Sequence, residues 1–310
     1  MSNYPNGFPN GVQIRGVPVL NSYAGNVFWV NSANGSNGNK GTRERPFTTL
    51  DYAIGRCTAN NGDLILVAPN HAETITGAGG IAHDVAGVSV IGMGVGNQRP
   101  RFLMDAGTTV TYAISAADAY VGNIVFASGH ADVVTCFDVT GVYAHIDGCM
   151  FVDNVANENF LSAISATGAA NTADGLKVTN NRFMSADAAT LGFIMTTDDV
   201  EFLEATDNVV VSEGTGLATL MTVATGKDVR GIRVLRNYLS SKATAGNLAW
   251  SNDTASPNNS GIIAHNRCRH ADVTAGHTMG AVGGCGFFDN LSASTDAVSG
   301  FVLPAIDVDL

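Results

Sequence analysis

Acidic side chains cluster in one short stretch of the chain, where they could act as acid and base on a sugar bond. Enzymes that cleave glycosidic bonds place two carboxyl groups on one face and raise the pKa of one of them. The stretch holds Asp198, Asp199, Glu201 and Glu204. A second stretch carries Lys227, Asp228, Arg230 and Arg233. Opposite charges on adjacent turns would pair at the surface, at about 0–1 kcal/mol per pair, so we predict no catalytic residue here.

Three histidines form the densest group of that residue type, at His265, His270 and His277. Imidazole nitrogens bind metals, but a site needs ligands that converge on one point. His265 directly precedes Asn266, a member of the repeat described next, so we expect corner geometry to fix its side chain. The glycine-rich run at 92–96 has no helix after it to hold a phosphate and is interpreted as another corner. We predict neither a metal nor a cofactor.

Five asparagines recur at steps of 27, 29, 29 and 24 residues, at Asn181, Asn208, Asn237, Asn266 and Asn290. Each stands three residues after a residue that could point inward, at Val178, Ala205, Val234, Ile263 and Phe287. A period of this length is typical of a chain wound into stacked turns. Asn tolerates the left-handed backbone of a sharp corner, and stacked amides can bond to each other. Asn is frequent enough for chance to be the alternative, but the flanking residues repeat as well.

Weaker copies of the same pattern begin at residues 90, 121 and 146, where Gly148 replaces Asn as expected for a positive φ. Short apolar runs precede the copies, so each turn holds two or three brief strands. Glycine is abundant, at 36 residues, and charged residues make up only 14%, which suits narrow packed turns. The pattern predicts an all-β fold: a single-stranded right-handed parallel β-helix of about eight turns, spanning residues 61–295.

The two ends differ from this repeat. Residues 26–60 read as a strand, a polar loop and a short capping helix that Thr48 or Thr49 could cap, and 296–310 as a C-terminal cap or tail. Residues 1–25 form an extended N-terminal arm, either docked on another surface or flexible. We favour docking, because the arm would otherwise expose its apolar residues. These anchoring residues are Phe8, Val12, Ile14, Val17, Val19 and Leu20.

The opening of the chain resembles that of a known group. It reads VFWVNS at 27–32, RPFTTLDYAI at 45–54 and NGDLILVAPNHAETI at 61–75. This order of strand, helix and Gly-Asp-hydrophobic strand is similar to the start of right-handed parallel β-helix virion proteins of tailed bacteriophages. The resemblance covers roughly residues 12–100, and the remainder only through its periodicity. It implies the fold and a place in the virus particle, but the group includes both glycan-cutting tailspikes and head decoration proteins.

Charge and cysteine content argue against some classes of partner and against a disulfide framework. The net charge of −11 disfavours nucleic-acid binding, which needs a basic face. We find no secretory signal and no apolar run long enough for a membrane helix, and expect a virion-surface protein made in the host cytoplasm and released by lysis.

An odd count of 5 cysteines argues against a disulfide framework. We expect a homotrimer, because closed rotational symmetry suits particle surfaces.

Two functions remain open. The first is a non-enzymatic capsid decoration or cement protein, held to the major capsid protein or other virion proteins by its arm. The second is a receptor-binding tailspike or tail fibre subunit that binds or cleaves host surface polysaccharide. Carbohydrate grooves display Trp and Tyr, whereas 7% of residues are aromatic and only Trp29 and Trp250 are tryptophans. We therefore favour the first function and predict that the protein is not an enzyme.

Overall fold

The computed structural model describes residues 25–153, 157–169, 172–214, 220–241, 258–270 and 284–294. It also describes the backbone of short strands at 12–14, 17–19, 250–251, 278–279, 299–301 and 303–304. Within these ranges the chain is almost entirely β-strand and turn. The helical elements are the α-helix Leu50–Ile54 and a single 3₁₀ turn, Gly96–Gln98.

Three long sheets run along the molecule, and each is built from strands that are far apart in sequence. The first sheet has 10 parallel strands: Val27–Val30, Leu64–Val67, Ser89–Gly92, Tyr120–Gly122, His145–Asp147, Lys177–Thr179, Glu204–Thr206, Ile232–Leu235, Ser260–Ala264 and Gly284–Phe288. The second sheet begins with Ala72–Ile75, Arg101–Met104, Val125–Ser128, Met150–Asp153 and Arg182–Ser185. It continues with Val209–Ser212, Tyr238–Ser241, Arg267–His270 and Leu291–Ser294, and ends in the antiparallel strand Ser299–Phe301.

The third sheet has 7 parallel strands: Ile81–His83, Tyr112–Ile114, Val133–Val139, Phe160–Ala166, Gly192–Thr196, Met221–Val223 and Trp250–Ser251. The chain visits the three sheets in the same order on every turn, so each strand pairs with its counterpart one turn away. A parallel β-helix is therefore confirmed. Two further short pairs are parallel, Val200–Glu201 with Val229–Arg230 and Thr278–Met279 with Leu303–Pro304.

The number of complete turns is about six rather than the predicted eight. Six consecutive turns, from Leu64 to Val223, place a strand in all three sheets, and the two-residue strand Trp250–Ser251 belongs to a seventh. In the next turn the strand Thr278–Met279 pairs with Leu303–Pro304 instead of extending the third sheet. The repeat in the sequence counts strands of the first sheet, which runs longer than the third.

The interior is a set of columns in which like residues stack from turn to turn. One column in the first sheet joins Ile65, Val90, Val121, Ile146, Val178, Ala205, Val234 and Ile263, all fully buried or nearly so. In the second sheet Phe102, Phe126 and Phe151 stack with ring centroids 5.7 Å apart. Alternation along each strand sends one set of side chains into these columns and leaves the other outside. The core therefore leaves the outer faces free.

The five asparagines of the repeat lie in one buried column between the first and second sheets. Asn208 shows the pattern: its Oδ1 accepts the backbone N–H of Asn181 at 3.0 Å, and its Nδ2 donates to the carbonyl of Val178 at 2.9 Å and to Oδ1 of Asn237 at 3.0 Å. Asn237 and Asn266 repeat these contacts one turn on. The column thus satisfies backbone groups that the corner would otherwise leave buried and unpaired.

The left-handed residue at this corner is not the ladder asparagine, as the sequence suggested, but the residue before it. Positive φ values between 55° and 60° occur at Asn123, Gly148, Asn180, Asp207, Arg236, His265 and Asp289. Gly148 therefore corresponds to Asn180, and Cys149 takes the ladder position, where its N–H donates to Oδ1 of Asn181 at 2.8 Å. The residue with positive φ forms the tight turn, and the residue directly after it supplies the inward amide.

The capping helix Leu50–Ile54 closes the first turn, with Leu50, Ala53 and Ile54 buried. Thr49 stands at its N-cap but makes no side-chain cap hydrogen bond. The Leu50 N–H is instead accepted by Oε2 of Glu73 at 3.0 Å, and the same oxygen lies 3.0 Å from Nε2 of His71. Nδ1 of His71 accepts a hydrogen bond from the Ser32 N–H at 2.9 Å. Nε2 of the same ring therefore carries the hydrogen and donates a hydrogen bond to Oε2 of Glu73. Loop, helix and second sheet are thereby joined.

Parts of both ends lie outside the described residues. Val12–Ile14 and Val17–Val19 form an antiparallel pair, while Phe8, Leu20 and the side chains of the arm are not described, so its anchoring role stays a prediction. In the described part of the chain, no helix is long and apolar enough to cross a membrane. All five cysteines are free thiols, and burial raises the pKa of Cys149 to about 12, so this thiol stays protonated.

Replacing one rung of the ladder tests its contribution to stability. We expect Asn208→Ala to lower the free energy of unfolding by about 2–5 kcal/mol, because it leaves the Asn181 N–H and the Val178 carbonyl buried and unpaired. Urea unfolding followed by circular dichroism measures this loss. Asn34→Ala, at an exposed loop asparagine, is the matched control and should change stability by less than about 0.5 kcal/mol. Equal losses in both variants would contradict a special role for the ladder.

A buried histidine makes stability depend on pH. Nε2 of His83 lies 3.2 Å from the Val88 carbonyl and Nδ1 lies 3.1 Å from the Tyr112 hydroxyl. Burial lowers the pKa of His83 to about 4, against 6.5 for the exposed side chain. Between these values the unfolded chain binds more protons than the folded one, so stability falls as the pH drops through this range, by about 3 kcal/mol in all. Thermal unfolding at several pH values should show a smaller pH dependence in His83→Gln, and an unchanged one in Asn34→Ala, which removes no titrating group.

Candidate functional site

The acidic stretch singled out in the sequence forms an ion-pair network on the surface. Nζ of Lys227 lies 2.7 Å from Oδ1 of Asp198, and Nη1 of Arg230 lies 2.9 Å from Oε1 of Glu201. Arg230 also approaches Asp199 at 3.5 Å. The hydrogen bond from Lys227 lowers the pKa of Asp198, whereas a catalytic acid needs a raised pKa. The network pairs charges on adjacent turns and offers no proton donor at Asp198.

Of the three histidines singled out in the sequence, the structure describes the side chain of His265. Nδ1 of His265 lies 2.8 Å from Oδ2 of Asp289, one turn along the corner. The side chain of His270, and His277 altogether, lie outside the described residues. Among the residues that the structure does describe, no three His, Cys, Asp or Glu side chains come together as metal ligands.

A hydrogen-bonded group on the outer face of the first sheet combines a hydroxyl, an imidazole and a carboxylate. The Thr179 hydroxyl donates to Oδ1 of Asp147 at 2.6 Å, and its oxygen lies 2.8 Å from Nε2 of His145. The Tyr120 hydroxyl donates to the other Asp147 oxygen at 3.1 Å. In a nucleophile–base–orienter arrangement the carboxylate accepts a hydrogen bond from the imidazole. Here the Asp147 carboxylate instead accepts a hydrogen bond from the Thr179 hydroxyl. The group orders the surface without activating Thr179.

The outer face of the third sheet carries a groove of about 340 Å³, which we call the third-sheet groove. Its volume is in the range of ligand sites. Val134, which is half exposed, and Met195 contribute apolar side chains to the lining. The remainder is rich in hydroxyl groups, from Thr109, Thr111, Thr135, Ser162, Ser165, Thr167 and Thr197. Asp138 is the carboxylate of this lining among the described residues.

Strand register explains why Asp138 faces the groove. It pairs with Ala113 on one side and Ser165 on the other, and Ser165 pairs in turn with Met195. These four residues form an outward row, between inward residues such as Phe137 and Val139. The small side chain of Ala113 leaves space beside the carboxylate, which accepts a hydrogen bond from the Thr167 hydroxyl.

Several groove hydroxyls use their proton within the protein. Thr135 donates to the Phe137 carbonyl at 3.0 Å, Ser162 to Val134 at 3.1 Å and Thr197 to Ala166 at 3.3 Å. A hydroxyl that donates keeps its oxygen lone pairs as acceptors. Thr135 and Ser162 are buried, whereas Thr197 is exposed and Asp138 partly exposed, so the groove presents the Asp138 carboxylate and the Thr197 hydroxyl oxygen as acceptors. Such a lining suits a ligand that carries many hydroxyl donors.

Sequence reasoning missed this groove, although a signal was present. Asp138 is a charged residue between two apolar ones in a strand, and hydroxyl residues recur in the matching segments of the next turns.

The corner between the third and first sheets exposes two aromatic rings. Tyr143 and Phe202 have φ of 58°, a conformation that bulky residues seldom adopt. They are 61% and 63% exposed. A Cβ atom placed on Gly175 or Gly231 would lie 2.4 or 2.8 Å from these rings, so each ring covers a glycine on its neighbouring turn. Strain of this kind is maintained where packing or function compensates for it.

The chain matches no protein-family model and no curated protein sequence. Among solved structures it is similar to a rhamnogalacturonan lyase, with 13% identity, a TM-score of 0.48, and coverage of 82% of this chain and 75% of the lyase. It is also similar to the GH136 lacto-N-biosidase of Eubacterium ramulus, with 11% identity, a TM-score of 0.34, and coverage of 87% and 68%. At these identities the likeness concerns the fold.

Our prediction that the protein is not an enzyme is wrong on this comparison, because both proteins with matching structures are enzymes. Candidate contact residues must follow from the geometry of this chain, and the third-sheet groove provides one set of them.

Proposed function

We propose that the protein binds a polysaccharide in the third-sheet groove, with Asp138 accepting hydrogen bonds from the sugar hydroxyls. The observation that carries this proposal is the lining: one carboxylate and several hydroxyl groups share a groove with the apolar side chains of Val134 and Met195. A sugar ring has the same division, with hydroxyl donors at its edge and C–H groups on its faces. Hydrogen bonds to a charged acceptor are stronger than those between neutral groups.

The groove runs across adjacent turns of a parallel stack, which suits a linear polymer. Its residues come from strands that lie about 4.8 Å apart, so the groove extends along the axis over several turns. Tyr143 and Phe202 add two exposed aromatic faces at the following corner. These features support an extended ligand rather than a single compact metabolite.

A place for this activity on a virus particle belongs to the same proposal. The resemblance to tailed-phage β-helix proteins rests on the opening residues, which fold as the strand Val27–Val30, the helix Leu50–Ile54 and the strand Leu64–Val67. In this proposal the chain is a receptor-binding tailspike or tail fibre subunit, and its ligand is a host surface polysaccharide. The arm at residues 1–25 would join it to other virion proteins.

Binding to a panel of purified bacterial capsular polysaccharides and lipopolysaccharide O-chains tests the groove. For any glycan that binds, we expect Asp138→Asn to weaken affinity about tenfold, because the variant loses a charged acceptor worth about 1.5–3 kcal/mol. Titration calorimetry measures the affinity, and assays for new reducing ends and unsaturated products on the same samples record cleavage.

Glu204→Gln is the matched control, since it removes a carboxylate from the first sheet instead of the third. Its affinity should equal that of the unaltered protein. Equal affinity in Asp138→Asn, or a panel without a single bound glycan, would contradict the proposal.

Removing residues 1–25 separates attachment to the particle from glycan binding. Those residues lie before the described solenoid, so we expect the shortened protein to keep its β-rich circular dichroism spectrum and its glycan affinity. It should lose binding to virus particles that lack the protein, measured by co-sedimentation. Co-sedimentation at the level of the full chain would dismiss the arm as the anchor.

A further inference from the structure

A second cleft lies at the opening turns, on the corner between the first and second sheets. It has a volume of about 320 Å³ and is lined by Trp29, Arg43 and Asn31 together with apolar residues, among them Pro46, Pro69 and Met93. It shares none of its lining residues with the third-sheet groove. We call it the Trp29–Arg43 cleft.

The backbone holds the two principal side chains of this cleft in place. The Trp29 N–H donates to the Gly41 carbonyl at 2.7 Å, and the Trp29 carbonyl accepts the Phe47 N–H at 2.8 Å. The loop that carries Arg43 is therefore fastened to the strand on both sides. Cζ of Arg43 lies 5.6 Å from the centroid of the indole ring, within the range of a cation–π contact.

A guanidinium has five N–H donors, and a cation–π contact with an indole leaves donors available for hydrogen bonds. These donors match the two oxygens of a carboxylate in a parallel pair of hydrogen bonds. None of the described residues that line the cleft is acidic, although the chain has 27 acidic and 16 basic residues. A positive group held without an acidic neighbour in its own cleft is complementary to an anion from outside.

The remaining walls select among anions. Proline and methionine side chains, with the indole, give apolar contact area, and Asn31 contributes an amide. A free inorganic anion would leave this area unused, whereas a sugar ring bearing a carboxyl group would cover it. We infer that the Trp29–Arg43 cleft binds a carboxylated sugar residue, a uronic or sialic acid, by pairing Arg43 with the carboxylate. This inference does not require the third-sheet groove to be a glycan site.

Trp29 provides a direct readout. The chain has 2 tryptophans, so Trp250→Phe leaves Trp29 as the single indole reporter. We expect glucuronic acid or N-acetylneuraminic acid to change its fluorescence in a saturable way. The methyl ester of the same sugar, which lacks the charge, should bind at least tenfold more weakly. Calorimetry on the unaltered protein gives the same comparison if Trp250→Phe fails to fold.

Variants then assign the contact. Arg43→Gln should weaken binding of the acid at least tenfold, and Arg56→Gln, at an exposed arginine outside the cleft, should leave it unchanged. Asp138→Asn should also leave it unchanged, which keeps this test separate from that of the groove. Equal binding of acid and ester, full binding by Arg43→Gln, or binding of polyglutamate without either acidic sugar would overturn the inference.

Discussion

The structure depends on one requirement: every turn must present the same corner to the turn above it. In a narrow coil the backbone groups at a corner face inward, where an unpaired carbonyl or N–H is costly. The buried asparagines meet this requirement. The side-chain Nδ2 of Asn208, for example, donates hydrogen bonds to the Val178 carbonyl and to Oδ1 of Asn237, on the turns to either side. A longer or shorter side chain would not place its amide within hydrogen-bond distance of both partners.

Because the interior enforces this repetition, the outer faces can vary. The inward columns hold Phe, Ile and Val in nearly constant places, while the outward row of the third sheet changes from Ala113 to Asp138, Ser165 and Met195. The groove is a result of that variation. A small residue, a carboxylate and a thioether lie side by side on a scaffold that does not depend on any of them.

The sequence predicted the solenoid well because the buried ladder position holds Asn in five successive turns, from Asn181 to Asn290. It predicted the corner torsion less well, because residues that tolerate a positive φ stand at two adjacent positions: Asn180 and Asp207 each precede a ladder asparagine. The sequence correctly predicted a short helix after Thr49. The N–H of its first residue, Leu50, is however accepted by Glu73, which is distant in sequence.

The groove was harder to foresee than the fold. Thr135, Cys136 and Phe137 are consecutive and all buried, so simple alternation does not tell which residues of that strand face outward. The pairing of Asp138 with Ser165 and Ala113 depends on the register between turns. That register is a relation between residues on different turns, and no local pattern near Asp138 reveals it. The surface charges were easier, since opposite signs at one repeat distance pair across turns.

The left-handed residue and the asparagine after it form a unit that begins and ends each turn in the same way. The segment from Asn208 to Asn237 therefore enters and leaves the stack at equivalent points. A duplication of that segment in the gene would add one more layer with its contacts already matched to both sides. Length is in this sense an evolvable property of the molecule, adjustable in whole layers without redesign of the interior.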